Sequence, residues 1–184
     1  LLQRIKVKPG DFHHLPAGTV HALGAGVMVA EIQTPSDTTF RVYDWNRLDN
    51  QGESRELHIE QALESIHFDE ASPPTSNNDG RAIGERLLVL GQKFGQTTLL
   101  LACEFFCVAK VKLIPALLSD LTNEFPFVAI ILSGKGHFDC GRNNPYLNYA
   151  AGDTILFPSN MKISMNVQEP GECLFTCLGP KRPE

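Results

Sequence analysis

Two side chains stand out for the chemistry they offer. His21 carries an imidazole, the commonest metal ligand among the side chains, and Arg41 carries a guanidinium that keeps its charge in any protein setting. Such a group stabilises developing negative charge and does not act as a base. His21 ends a phrase that occurs twice. Gly10-Asp11-Phe12-His13-His14-Leu15-Pro16 runs through Ala17-Gly18 to His21, and Gly152-Asp153-Thr154-Ile155-Leu156-Phe157-Pro158 runs through Ser159-Asn160 to Ile163. Both read Gly-Asp-x4-Pro, and both place a residue tolerant of positive φ two positions after the proline, Gly18 and Asn160. Only the first ends on a possible ligand. The chain reads as two related β-units, one able to bind a metal and one with an apolar interior around Leu156, Phe157 and Ile163.

The elements that must hold these side chains are expected to be strands. Pro9-Gly10-Asp11 is a turn into a strand, with Asp11 bonding the turn backbone, and Pro16-Ala17-Gly18 is a second bend. Residues 5–45 are expected to be β, with alternation over residues 27–33 and a β-branched, aromatic run over 39–43. On such a strand Thr39, Arg41 and Tyr43 share one polar face, suited to a cavity wall. Glu31 and Gln33 line a barrel or face solvent; alternation alone leaves both open. His13 and His14 are consecutive and precede the bend, which suits surface or strand-end positions.

Residues 56–66 carry an apolar stripe at helical spacing. Residues 71–80, with two prolines, are expected to be a linker. Strand-like runs follow at 86–90, 97–111, 127–133, 146–150, 154–157, 161–167 and 172–178, with Gly134-Lys135-Gly136 as a hairpin turn. The fold class expected is mostly all-β, a sandwich or jelly roll. The expected division is a metal-type unit over 1–55, helix and linker over 56–85, and a second unit without a metal site over 86–184.

Bulk composition narrows the partners. The chain has 184 residues, 42% hydrophobic and 20% charged, with a net charge of −5 and no long basic run. That argues against a nucleic-acid surface. The apolar runs are too short to span a bilayer and no signal-peptide pattern is present. The five cysteines include no Cys-x-x-Cys. Cys103 and Cys107, like Cys173 and Cys177, lie four apart, which on a strand is about 13 Å, too far for a disulfide. All five are expected to be reduced thiols of a cytoplasmic protein. The start at Leu1-Leu2-Gln3-Arg4-Ile5 suggests a piece of a longer protein.

The spacing Gly-x5-Pro-x-Gly-x2-His at Gly10, Pro16, Gly18 and His21 resembles the second motif of the cupin superfamily, with Ala25 where an asparagine is usual. Residues 16–24, then Glu31-Ile32-Gln33, then Ser36-Asp37-Thr38-Thr39-Phe40-Arg41-Val42-Tyr43-Asp44-Trp45 closely resemble type I mannose-6-phosphate isomerases. The resemblance implies two cupin units, each a double-stranded β-helix. It implies that His21 is one of four zinc ligands and Arg41 the active-site arginine. Glu31, Thr39 and Tyr43, read from alternation, are the candidate lining residues of the substrate cavity. The other three ligands have no counterpart in this chain, so the zinc site it implies is incomplete here. The implied reaction interconverts mannose 6-phosphate and fructose 6-phosphate through a cis-enediol. The alternative is a catalytically incomplete cupin that binds sugar or a partner.

Overall fold

In the computed structural model, which describes residues 2–36, 38–68, 78–139 and 146–180, nine strands are found among the described residues. They are β1 Gly95–Ala102, β2 Phe106–Leu113, β3 Ala116–Thr122, β4 Phe127–Ile131, β5 Lys135–Asp139, β6 Leu147–Ala150, β7 Thr154–Phe157, β8 Lys162–Glu169 and β9 Gly171–Leu178. The chain divides into two units, Leu1–Pro74 and Thr75–Glu184, and all these strands lie in the second.

Their pairing is nested. β5 pairs with β6, β4 with β7, β3 with β8 and β2 with β9, all antiparallel. Chain paired this way is one long hairpin. β9 then joins β4 and β8 joins β5, which rolls the hairpin into two sheets, β1-β2-β9-β4-β7 and β3-β8-β5-β6. This winding is a jelly roll, so the second unit is the double-stranded β-helix expected.

Alternation sets which side chains face inward. Ile163, Met165 and Val167 of β8 and Phe127, Ala129 and Ile131 of β4 are buried, with more exposed residues between them. Aromatic rings fill the interior. Phe127 stacks on Phe157 at 4.7 Å, Phe138 meets Phe157 edge-on at 5.0 Å, and Phe175 lies 4.9 Å from Phe127. Each such buried ring contributes about 2 kcal/mol by removing apolar area from water. The second unit therefore has the packed interior that Ile163 in place of a histidine suggested.

Several expectations need correction. Residues 86–90 are not a strand; they lie within helix α2, Asn78–Gln92, whose Leu87 and Leu90 are buried in the core with Phe94 just beyond its end, and with Ile83 packed beside them. Spacings of four, three and four are helical, and the Phe94 ring meets Phe175 at 5.0 Å. The end of the expected linker, from Asn78 onward, is the start of this helix, while residues 71–77 lie outside the described residues. Residues 97–111 are two strands, β1 and β2, separated by a turn, and β3 and β5 add strands not expected. Gly134 keeps a turn conformation at φ 85°, but Lys135 already begins β5.

The largest correction concerns residues 5–45. No strand forms among the described residues of the first unit, whose regular elements are helix α1, Ile59–Ser65, and one isolated bridge, Leu48 to Ser54. A strand needs a second backbone to bond with, and period-two alternation reports only a face, not a partner. The expected strands stay open: Met28 is 98% exposed, and Val27, Val29, Phe40 and Val42 are exposed as well. Helix α1 falls inside the segment expected to be helical. No helix among the described residues is long and apolar enough to cross a membrane.

Cys103, Cys107, Cys173 and Cys177 are reduced thiols, and Cys140 lies outside the described residues. Cys107 and Cys177 are cross-strand partners on β2 and β9. The Gly179 N–H donates to the Phe105 carbonyl at 2.7 Å, so by alternation along the ladder Cys107 and Cys177 form a hydrogen-bonded pair, the wider of the two spacings. Burial pushes the Cys173 thiol up to about 12 and the Tyr149 phenol up to about 12. Among the described residues the Tyr149 hydroxyl is buried without a hydrogen-bond partner.

Both groups stay neutral in the fold above the pH at which they would ionise in an unfolded chain, 9.0 for the thiol and 10.0 for the phenol. The stability they contribute is complete below those values and is lost as pH rises toward about 12. Unfolding of the second unit, followed by denaturant titration, is expected to become easier across that window. Tyr149→Phe keeps the ring and removes the unpartnered hydroxyl. It should be at least as stable at pH 7 and lose less stability between pH 10 and 12; an unchanged alkaline limb would refute the assignment to Tyr149.

Candidate functional site

The two Gly-Asp phrases fold alike. The Asp11 N–H donates to the Lys8 carbonyl at 3.1 Å and the Lys8 N–H returns a bond to Asp11 Oδ2 at 3.0 Å. The Asp153 N–H donates to the Ala150 carbonyl at 3.1 Å, and the Ala150 N–H donates to Asp153 Oδ2 at 2.7 Å. Gly10 and Gly152 have φ 93° and 97°, and the expected positive φ recurs at Gly18, 81°, and Asn160, 60°. The second copy delivers Ile163 to β8, 1% exposed in the core. In a jelly roll this frame therefore aims the residue in the position of His21 at the interior.

His21 itself is exposed among the described residues of its unit. Its Nδ1 lies 2.9 Å from the Thr19 carbonyl. A carbonyl only accepts, so Nδ1 carries the proton and the Nε2 lone pair is free. That is the orientation by which a backbone carbonyl fixes the tautomer of a ligating histidine.

Helix α1 ties the bend before His21 to the segment of Arg41. At its C-terminal end the His67 N–H donates to the Gly18 carbonyl at 3.1 Å. A Cβ at Gly18 would lie 2.6 Å from the Ser65 carbonyl oxygen, so glycine is needed there for closeness as well as for φ. At its N-terminal end stands His58, the N-cap residue. The His58 N–H donates to the Arg41 carbonyl at 2.8 Å, and the Arg41 N–H donates to His58 Nδ1 at 3.2 Å.

From Arg41 to His58 the chain makes a hairpin-like excursion. Arg41 faces His58 at its base, the Arg55 guanidinium grips the Asp44 carboxylate with both ends, Nε to Oδ2 at 2.7 Å, and Leu48 bridges Ser54. At the tip Asp49 Oδ1 accepts the Gln51 and Glu53 N–H groups at 2.8 and 2.9 Å. Trp45 and Asn46 both have φ 53°, and the Arg47 N–H donates to the Asp44 carbonyl at 3.0 Å, the pattern of a type I′ turn. Left-handed φ at a tryptophan costs about 1–2 kcal/mol. Tyr43 packs its ring 5.4 Å from Trp45 on one side, and the Arg47 guanidinium lies 5.4 Å over it.

Charge is uneven here. The hydrogen bonds from Arg55 hold the Asp44 carboxyl below its ordinary range, with Arg41 and Arg47 adding to the effect. Asp44 is thus taken up by Arg55. The Arg41 side chain is half-buried and spends Nη1 on the Glu56 carbonyl at 3.2 Å. Its remaining N–H groups are held on a tethered guanidinium, which suits an anion or a polarised oxygen.

Of the other residues singled out from sequence, Glu31 and Thr39 are exposed and Tyr43 is 57% exposed against Trp45. Since residues 39–43 form no strand, the shared face expected for Thr39, Arg41 and Tyr43 is not built by a ladder. Among the described residues no hydrogen bond or ion pair joins His21 to Arg41. Sequence reading missed His58 and Arg55, and with Arg55 the partner that Asp44 takes. The one available signal was the turn-rich Asp49-Asn50-Gln51-Gly52 between them. Zinc takes three or four protein ligands. Among the described residues no three His, Cys, Asp or Glu side chains come together, so the residues present do not by themselves fit a zinc ion.

Comparison with known proteins finds curated relatives of this chain. The chain is 35% identical over 179 residues to the mannose-6-phosphate isomerase ManA of Bacillus subtilis, covering 97% of this chain and 52% of that protein. It is 36% identical over 162 residues to a mannose-6-phosphate isomerase of Streptococcus mutans, covering 88% of this chain and 47% of that protein. The chain thus spans about half the length of the curated relatives it matches. No family model matches it. An RmlC-like cupin from Shewanella frigidimarina superposes with a TM-score of 0.39 at 15% identity, over 46% of this chain and 75% of that chain.

Gly18→Ala tests the junction between α1 and the bend. The added Cβ meets both positive φ and the Ser65 carbonyl, so a loss of about 2 kcal/mol and faster hydrogen exchange at the His67 amide are expected. Wild-type exchange at His67 would show that the junction does not depend on Gly18.

Proposed function

We propose that this chain, a homologue of mannose-6-phosphate isomerases along nearly its whole length, serves aldose–ketose isomerisation of mannose 6-phosphate and fructose 6-phosphate. The first unit then carries the C-terminal part of a metal-type cupin, and the jelly roll of the second unit completes the body without a metal site. The observation that carries this reading is the repeated frame. The same turn that sends Ile163 into the core of one jelly roll presents His21, and α1 ties the bend before His21 to Arg41.

In this reaction a proton moves between C2 and C1 and negative charge gathers on the sugar oxygens. The Arg41 guanidinium cannot give up its proton, so its part is electrostatic. It is already tethered at Nη1 and at its backbone, and it needs little reorganisation as the charge develops. Glu31, Thr39 and Tyr43 are proposed as lining residues of the substrate cavity. His21 is proposed as a zinc ligand through Nε2, with the remaining ligands drawn from outside the described residues. A sugar phosphate is the proposed small-molecule partner, in a cytoplasmic setting.

The test is turnover of mannose 6-phosphate by the complete protein, with its further zinc ligands present, in a coupled assay. Arg41→Ala is expected to lower kcat by about 10²–10³-fold while the far-UV circular dichroism stays unchanged. Full turnover in the variant would remove Arg41 from the mechanism. Sugar-phosphate binding with no turnover in the unsubstituted complete protein would favour a binding module instead.

A further inference from the structure

An N-cap side chain ordinarily bonds the free N–H groups of its own helix, and Ser, Thr, Asp and Asn do this best. His58 is the N-cap of α1 and makes no such bond. Its ring turns to a segment 17 residues away, where Nδ1 accepts the Arg41 N–H, while its own N–H donates to the Arg41 carbonyl. Because Nδ1 accepts, the ring is the Nε2–H tautomer, and Nε2 faces Glu56 Oε2 at 3.9 Å. Phe40, the neighbour of Arg41, packs its ring 6.2 Å from the His58 ring. The Arg41 side chain reaches the same stretch again, with Nη1 on the Glu56 carbonyl.

We propose that His58 is a positioning residue for Arg41: it clamps both polar groups of the Arg41 backbone and so sets where the guanidinium is presented. The helix gives up its side-chain cap to make this clamp. His58 touches no substrate, and it acts only through Arg41. The proposal rests on the isomerase reading for what Arg41 does there, but the clamp is a claim about geometry that is measurable without turnover.

Two substitutions separate a clamp from a helix cap. Serine is a better cap than histidine and is too short to reach Arg41. Asparagine places its amide oxygen near the position of Nδ1. His58→Ser is expected to lower kcat about tenfold or more with KM little changed, since an interaction made in the transition state is misplaced. It should also speed hydrogen exchange at the Arg41 amide at least tenfold, with thermal stability kept. His58→Asn is expected to restore most of both. In the Arg41→Ala background His58→Ser should cost nothing further, because a residue acting through Arg41 has nothing left to position. Wild-type kcat and wild-type Arg41 exchange in His58→Ser would overturn the clamp. A clamp confirmed by exchange, with Arg41→Ala fully active, would leave the geometry standing and overturn the isomerase role of Arg41.

Discussion

A β-strand exists only where another backbone takes up its N–H and C=O groups, and that requirement separates the two units of this chain. In the second unit each strand from β2 to β9 has its partner in a nested hairpin. Closure of β9 on β4 and of β8 on β5 then gives the inward residues a common interior. In the first unit the alternating segments have no ladder among the described residues, and their apolar side chains remain exposed. Its order comes from local devices instead: turns bonded by Asp11 and Asp49, the ion pair of Asp44 with Arg55, and a two-turn helix joined at both ends to other segments.

What was legible in the sequence follows the same division. The jelly roll could be read from strand spacing because period-two burial is local information, and β4, β6, β7, β8 and β9 fall where alternation put them. Helix α2 was hidden by its own packing. Gly84 and Gly91 are poor helix formers, yet they sit where α2 lies against β1: a Cβ at Gly91 would come 2.7 Å from Thr97 Cγ2, and one at Gly84 would come 2.8 Å from Ala102 Cβ. Tertiary closeness overrode propensity there, and the apolar run Arg86 to Leu90 looked like a short strand.

The candidate site was legible as residue types and not as an arrangement. His21 and Arg41 could be picked out from motif spacing, and positive φ at Gly18 and Asn160 followed from the bend they share. The excursion that holds Arg41 depends on pairings between Arg41 and His58 and between Asp44 and Arg55, which no periodicity announces. A histidine at a helix N-terminus looks like an indifferent cap until its ring is seen to bond elsewhere. Such contacts between distant segments are where reading along a chain stops.

The twin aspartate turns carry a consequence for how such proteins change. Each is held by bonds between a backbone and its own side chain, so neither depends on what the barrel encloses. The architecture is thereby insulated from the chemistry: a lineage can exchange an imidazole for an alkyl group a few positions downstream and keep its shape. The same turn can then precede an imidazole in one unit and an alkyl side chain in the other with its own bonding unchanged.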